Sequence, residues 1–397
     1  MLRSLTRAPL LLSVVGLLLH YGLVGLVSLA GPDSLTGLDS LAGLGLALSA
    51  PAVWAFIATL ALSALVFSAS IQFRVSRLGV QCPVSFRLCF GGAPIFLIAC
   101  GLCAFILMPQ LSLSAAFLLG GILMLNGSAF DRRAIVNTPA PALVKAGVQF
   151  ESAVVLSLGL PIAVLLAGGA TNAVAGEGAL APLLRASLSV LAAFAIGGTF
   201  GLVAALIGNR FRRGHGFALS IVAVLIAVPA TWLLGGHPIV AAGATGLIWA
   251  EQARTPHQPR LRHRLRTERL VMPLTYFLVG FVLGPRLFNA DLLMITFALA
   301  MVTIMRVLPR LAALQSATLP RQAQFFLSWF GGTPGVASAL FLVTLLDQSN
   351  LMDQELILTI GTVCVVTGIF TARLTAQPLA HHYLRGMGVV REREFMA

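Results

Sequence analysis

The sequence predicts an all-α polytopic membrane protein of about twelve transmembrane helices, and three observations predict it. Of its 397 residues, 58% are hydrophobic and only 10% charged, whereas a soluble chain averages about 45–50% and about 25%. The apolar residues gather into long runs separated by polar breaks, enough for roughly eleven or twelve helices of about 20 residues each. The charges between those runs alternate in sign along the chain, as cytoplasmic and opposite-side loops do. An ordinary soluble enzyme, a disordered chain and a disulfide-rich secreted module are excluded on composition alone.

The runs fall at 8–30, 51–72, 91–109, 112–128, 147–168, 186–208, 216–234, 237–250, 270–285, 291–309, 322–346 and 355–372. The first follows a basic N-terminus (Arg3, Arg7) and has no small-residue cleavage site, so it reads as a retained helix. The third contains Cys100 and Cys103, read as small packing residues. The five cysteines make neither a disulfide framework nor a zinc spacing. The runs at 112–128, 237–250 and 270–285 are short or Gly-rich, and loop charge supports counting them. Of the 26 basic residues, all but Arg185, Arg286 and Arg306 fall in even-numbered loops or at the termini. One missed or invented helix would break that alternation, so both termini are expected in the cytoplasm, across a cell (inner) membrane.

The chain reads as one transmembrane domain over 1–397. An Arg-rich cytoplasmic loop at 251–269 divides its halves, and a short cytoplasmic tail spans 373–397. The net charge of +13 does not indicate nucleic-acid binding, because no soluble basic domain exists to carry it. The lipid bilayer is the expected partner. No cofactor, metal site or enzyme chemistry is expected, since no nucleophile–base pair or ligand cluster is seen.

Two charges lie inside apolar runs. Glu151 opens Glu151-Ser-Ala-Val-Val-Leu-Ser-Leu-Gly-Leu-Pro161, and Arg306 closes the run before Pro309. Each costs at least about 2.5–3.5 kcal/mol to bury on insertion scales, so the simplest expectation is that they meet as a structural ion pair. Two runs are also interrupted in similar ways. One reads Leu119-Gly-Gly-Ile-Leu-Met-Leu-Asn126-Gly127-Ser128, the other Trp329-Phe-Gly331-Gly332-Thr333-Pro334-Gly335-Val-Ala-Ser338. Gly and Pro weaken helical hydrogen bonding, and a matched pair of broken helices, one per half, points to a site at the membrane midplane. Helix breaks are placed at Gly127 and at Gly332, Pro334 and Gly335. His20 and His237 read as packed or interfacial residues, and Gly127-Ser-Ala-Phe-Asp131-Arg132-Arg133 as a chance match to a facilitator loop signature.

Taken together these residues resemble the monovalent cation:proton antiporters of the sodium/proton exchanger superfamily. Glu151, Ser152 and Pro161 match the family's E-[SA]-x-x-N-D-x-x-x-x-P helix. Gly127 precedes Glu151 by 24 positions, as the family's broken helix does. Leu65-Val-Phe-Ser-Ala-Ser-Ile is similar to its F-x-x-G-L helix, Arg306-Val-Leu-Pro309 to R-P-x-x, and Trp329-Phe-Gly331 to the start of W-x-G-x-R-G. The resemblance implies two inverted repeats with two discontinuous helices, and a homodimer. It also implies exchange of Na⁺ or K⁺ against protons by alternating access, with Glu151 and Arg306 as an ion pair beside the site.

The departures are equally specific. Asn126-Gly127-Ser128 stands where the family has T-D-P, Val155-Leu156 where it has N-D, and Thr333 or Pro334 where it has Arg. The family's exchanging carboxylate is absent. The reading that keeps transport therefore uses Glu151 with Asn126, Ser152, Ser157 and Thr333 as oxygen ligands. A carboxylate clamped by arginine cannot load and release protons, whereas a released one could serve alone. Two alternatives follow: a non-transporting relative acting as receptor, regulator or complex subunit, or a transporter of a less polar substrate.

Overall fold

A computed structural model describes residues 9–29, 50–77, 83–125, 142–172, 180–210, 215–254, 257–315, 317 and 320–386. Apolar side chains surround most of its helices on every side, which is the pattern of helices buried in protein on one face and in lipid on the other. The helices are α1 (Pro9–Leu29), α2 (Pro51–Ser70), a run α3 over Pro83–Leu107, and α4 (Leu113–Met124). They continue with α5 (Ala142–Gly169), α6 (Ala181–Arg210), α7 (His215–Leu233) and α8 (Pro238–Gln252). The second part holds α9 (His257–Leu278), a run α10 over Leu292–Leu314, α11 (Arg321–Phe330), α12 (Val336–Thr344) and α13 (Gln354–Gly386). Eight helices among the described residues are long and apolar enough to cross a membrane, beside shorter apolar ones such as α4.

Local chemistry sets several of these boundaries. Pro51 and Pro238 occupy the first turns of α2 and α8, where no helical N–H is needed. Ser112 caps α4 by accepting from the Ala115 N–H at 3.4 Å, and its own N–H donates to Asp353 at 2.9 Å. The α3 and α10 runs each contain one π-helical turn, at Leu88–Gly92 and Met301–Met305. A third π turn, Val279–Leu283, extends α9.

The centre of the bundle is a crossing of interrupted helices. At Leu125, the residue after α4, the backbone turns extended (ψ 108°). The chain also leaves the helix at Phe330 and re-enters it at Val336, with Gly332 in the left-handed region at φ 71°. The two breaks are tied together, because the Ser338 hydroxyl on α12 donates to the Leu125 carbonyl at 2.6 Å. α8 and α12 are almost wholly enclosed; α2 packs against both and α5 against α8.

Two sequence expectations change here. The stretch 251–269, read as a loop, is helical from His257 onward, because α9 extends its polar first turns beyond the apolar window. The segment read as a tail from residue 373 continues α13 as helix to Gly386. Asn126, Gly127, Ser128 and the Asp131-Arg132-Arg133 stretch lie outside the described residues, so the first predicted break is seen only from its Leu125 side.

Candidate functional site at the helix crossing

Glu151 sits on α5 with 1% of its surface exposed. Its carboxylate is gripped on both oxygens by the guanidinium of Arg310. Nη2 donates to Oε2 at 2.6 Å, and Nη1 donates to Oε1. The same Nη2 donates to the Leu327 carbonyl at 3.0 Å, in the last turn of α11. One arginine therefore joins α5, α10 and the end of the broken helix. Gly331 makes this possible, since a β-carbon there would lie 2.6 Å from Glu151 Oε2 and inside the Arg310 guanidinium. A β-carbon on Gly332 would sit 2.6 Å from Arg310 Nη1.

The expected partner of Glu151 was Arg306, and the structure places Arg310 on the carboxylate instead. The reading from sequence closes the tenth run at 309 and assigns Arg310 to a loop. α10 in fact runs on through Pro309 to Leu314, helped by the preceding π turn, and buries Arg310 at 5% exposure. Four residues make about one helical turn, so Arg306 and Arg310 share a face. Arg306 is also buried, with its guanidinium 5.6 Å from the Trp329 ring. Both arginines line, with Glu151, Val155 and Gly332, a cavity of only about 10 Å³.

The other candidate oxygens do not converge on Glu151. Successive residues on a helix turn by about 100°, so Glu151, Ser152 and Ser157 point to different neighbours. Ser152 accepts from Arg264 Nη2 on α9 at 3.0 Å. Ser157 donates to the Ala153 carbonyl at 2.7 Å and accepts from Ser70 on α2 at 2.8 Å. Val155 is the side chain that follows Glu151 on its own face, and it lines the same small cavity. Thr333 is buried within the α11–α12 break, beside Pro334 and Gly335.

Sequence reasoning missed a buried polar stripe on α9. Arg260, Arg264 and Glu268 follow at four-residue steps, all 9% exposed or less. Arg264 Nε donates to Glu268 at 3.0 Å. Arg260 donates to the carbonyls of Ile71 (3.3 Å) and Ala253 (3.4 Å) and lies 4.9 Å from the Trp249 ring. Arg74 adds donations to the carbonyls of Ala250 (3.2 Å) and Ala253 (2.8 Å). These cations cover the C-terminal carbonyls of α8, where helical partners run out and the dipole is negative. The four-residue spacing was the signal that these arginines belong to one helix face.

The opposite end of the bundle is open. A chamber of about 980 Å³ lies among the first turns of α2, α6 and α8 and the last turns of α5 and α7. His237, which precedes α8, lines it, and burial drives its imidazole pKa down to about 4, so it is neutral at pH 7. Glu151 is not among the residues that line this chamber. Among the described residues, no cluster of three His, Cys, Asp or Glu could hold a metal ion.

The whole arrangement has close relatives in shape. A solved structure of the sodium proton antiporter MjNhaP1 from Methanocaldococcus jannaschii, at pH 8, is similar over 96% of this chain and 99% of that one. The TM-score is 0.66 and the sequence identity 16%. An electron-microscopy structure of the same archaeal antiporter is similar over 93% and 90%, with TM-score 0.60 and 15% identity. Among curated protein sequences none matches this chain. The family model described as "Sodium/hydrogen exchanger, transmembrane" matches residues 5–380. With that match spanning nearly its full length, this multi-pass membrane protein belongs to the sodium/hydrogen exchanger family, a family of transporters rather than enzymes.

Proposed function

We propose that the protein exchanges a monovalent cation for protons by alternating access, around the crossing of its two interrupted helices. The observation that carries this reading is one-sided access. A chamber of about 980 Å³ opens at one end of the bundle. At the other end, Arg74 and Arg260 seal the α8 terminus. Loop charge assigns the sealed end to the cytoplasm of an inner membrane. Exchange requires a second arrangement in which Arg74 and Arg260 let go and the chamber closes.

Glu151 is the acid assigned to this exchange. A cation or proton reaches it only where Arg310 withdraws from the carboxylate, so Arg310 is an internal competitor for the site. Ser157, Thr333 and Asn126 are assigned as oxygen donors along the crossing, and Ser152 as the link to α9. Cation-dependent proton movement in proteoliposomes tests the reading. Wild-type protein is expected to show it and Glu151→Gln to abolish it; undiminished exchange in that variant removes Glu151 from the mechanism.

One observation favours a second reading. Both oxygens of Glu151 are taken by Arg310, and the next side chain on its face is Val155. A scaffold kept as a receptor or complex subunit would have this closed site. In that case Glu151→Gln lowers stability, and purified wild-type protein moves no ion.

A further inference from the structure

The open chamber carries chemistry that the Glu151 crossing does not use. Three buried side-chain atoms have no hydrogen-bond partner among the described residues and belong to residues lining this one space: Ser63 Oγ, His237 Nδ1 and Gln348 Oε1. Ser63 is only 3% exposed. Leaving a polar atom unpartnered in such a place is unfavourable, and a bound group of matching polarity removes that cost.

The polar groups of the lining are weighted toward acceptors, with the Ser63 and Ser189 hydroxyls able to donate as well. The hydroxyls of Thr59, Thr171 and Thr344 each donate to a carbonyl three or four residues earlier in the chain, at 2.8, 2.7 and 2.6 Å. What they turn to the chamber is acceptor lone pairs. Gln348 Oε1 is an acceptor by nature, and Asp347 adds an anion. The remaining walls are apolar and include the aromatic side chains Phe56, Trp232 and Phe341, a residue type that attracts cations. An alkali ion needs a shell of oxygens in place of its water, and these dispersed acceptors in an apolar space are a poor substitute. A cation with its own N–H donors and its own apolar body fits both halves of the lining. The volume lies within the range of about 300–1,000 Å³ usual for organic ligands.

We propose that this chamber is a binding site for organic ammonium ions with an apolar body, and that such amines are the cations exchanged. The second clause rests on the exchange reading above; the site itself does not.

Calorimetric titration of the full-length protein in zwitterionic nanodiscs tests it, with 1-naphthylmethylammonium as the probe and 1-naphthylmethanol as its neutral counterpart. Saturable binding of the ammonium is expected, with the alcohol at least about tenfold weaker. Ser63→Ala and Gln348→Leu should each weaken binding about 3- to 10-fold, the range of one hydrogen bond. Ala64→Trp, which fills the chamber, should abolish it. No binding, equal binding of the alcohol, or unchanged affinity in both conservative variants overturns the site. Proton flux in proteoliposomes separates the two claims. Flux with Na⁺ or K⁺ and no amine binding sinks the site and leaves the exchange reading standing. Amine binding with no flux for any cation keeps the site and ends the exchange reading.

Discussion

Glu151 and Arg310 form a two-pronged ion pair that also reaches the Leu327 carbonyl, so a single guanidinium fastens α5 and α10 to the end of a broken helix. Removing one member leaves the other buried and uncompensated, at a cost of about 3–5 kcal/mol. Arg310→Ala is therefore expected to lower the unfolding midpoint of purified protein more than Arg306→Ala. Arg306 has a cation–π contact with Trp329, worth about 0.5–2 kcal/mol. Arg310→Lys should fall between, because an ammonium cannot reproduce the fork. An Arg306→Ala variant as damaged as Arg310→Ala would put the structural weight on the wrong residue.

Gly331 supplies a second, steric test of the same pair. Its φ of −89° suits any residue, so the glycine is required only by the collision that a β-carbon makes with Arg310 and Glu151. Gly235 is the contrasting case, with φ 75° and nothing within 4 Å. Gly235→Ala should cost only the left-handed strain of about 1–2 kcal/mol. Gly331→Ala should reduce the yield of monodisperse protein far more, as read by size-exclusion chromatography. Combined with Arg310→Ala, its added effect should shrink, since residues in contact are not additive.

How far the sequence reveals this arrangement depends on the range of the interaction. Apolar runs and helix breaks are local, so the helical class and the interruption at Gly331–Gly335 are legible from residue types alone. Glu151 stands out because it is the one charge in the apolar run 147–168. Its partner is not legible, because Arg306 and Arg310 share a face and only the packing of α10 on α5 chooses between them. Arg260, Arg264 and Glu268 were hidden for a different reason. A polar helical turn at the end of an apolar helix has the hydropathy of a loop, and charge counting assigns every such arginine to solvent. The chamber is the least legible feature: Ser63, His237 and Gln348 come from three distant segments, and only the fold brings them to one space.

The sealed end of the bundle predicts a change in accessibility. Arg260 is held by the carbonyls of Ile71 and Ala253, while Gln72 donates back to the Arg260 carbonyl at 3.0 Å. Arg260→Ala removes the guanidinium that covers the α8 terminus. A cysteine at Ser68, buried at 1% exposure, should then react several-fold faster with a membrane-impermeant maleimide applied to the arginine-rich face, in a background without the native cysteines. Unchanged labelling would show that Arg260 does not close this end.

His237 gives the fold an acid limit. Burial holds its imidazole at a pKa of about 4 in the folded protein, against about 6.5 in an unfolded chain. Below 6.5 the unfolded state takes up a proton that the folded state refuses, so the contribution of His237 to stability is fully present above that value. It declines as pH falls toward 4, where the folded form also protonates. His237→Gln keeps a polar side chain without the titration. Asp347 lines the same chamber and is unchanged in both proteins compared, so it does not enter the difference between them. Unfolding midpoints measured between pH 7 and pH 4.5 should fall less steeply in this variant than in the wild type. Parallel slopes would mean that His237 takes up its proton in the folded protein as readily as in the unfolded chain.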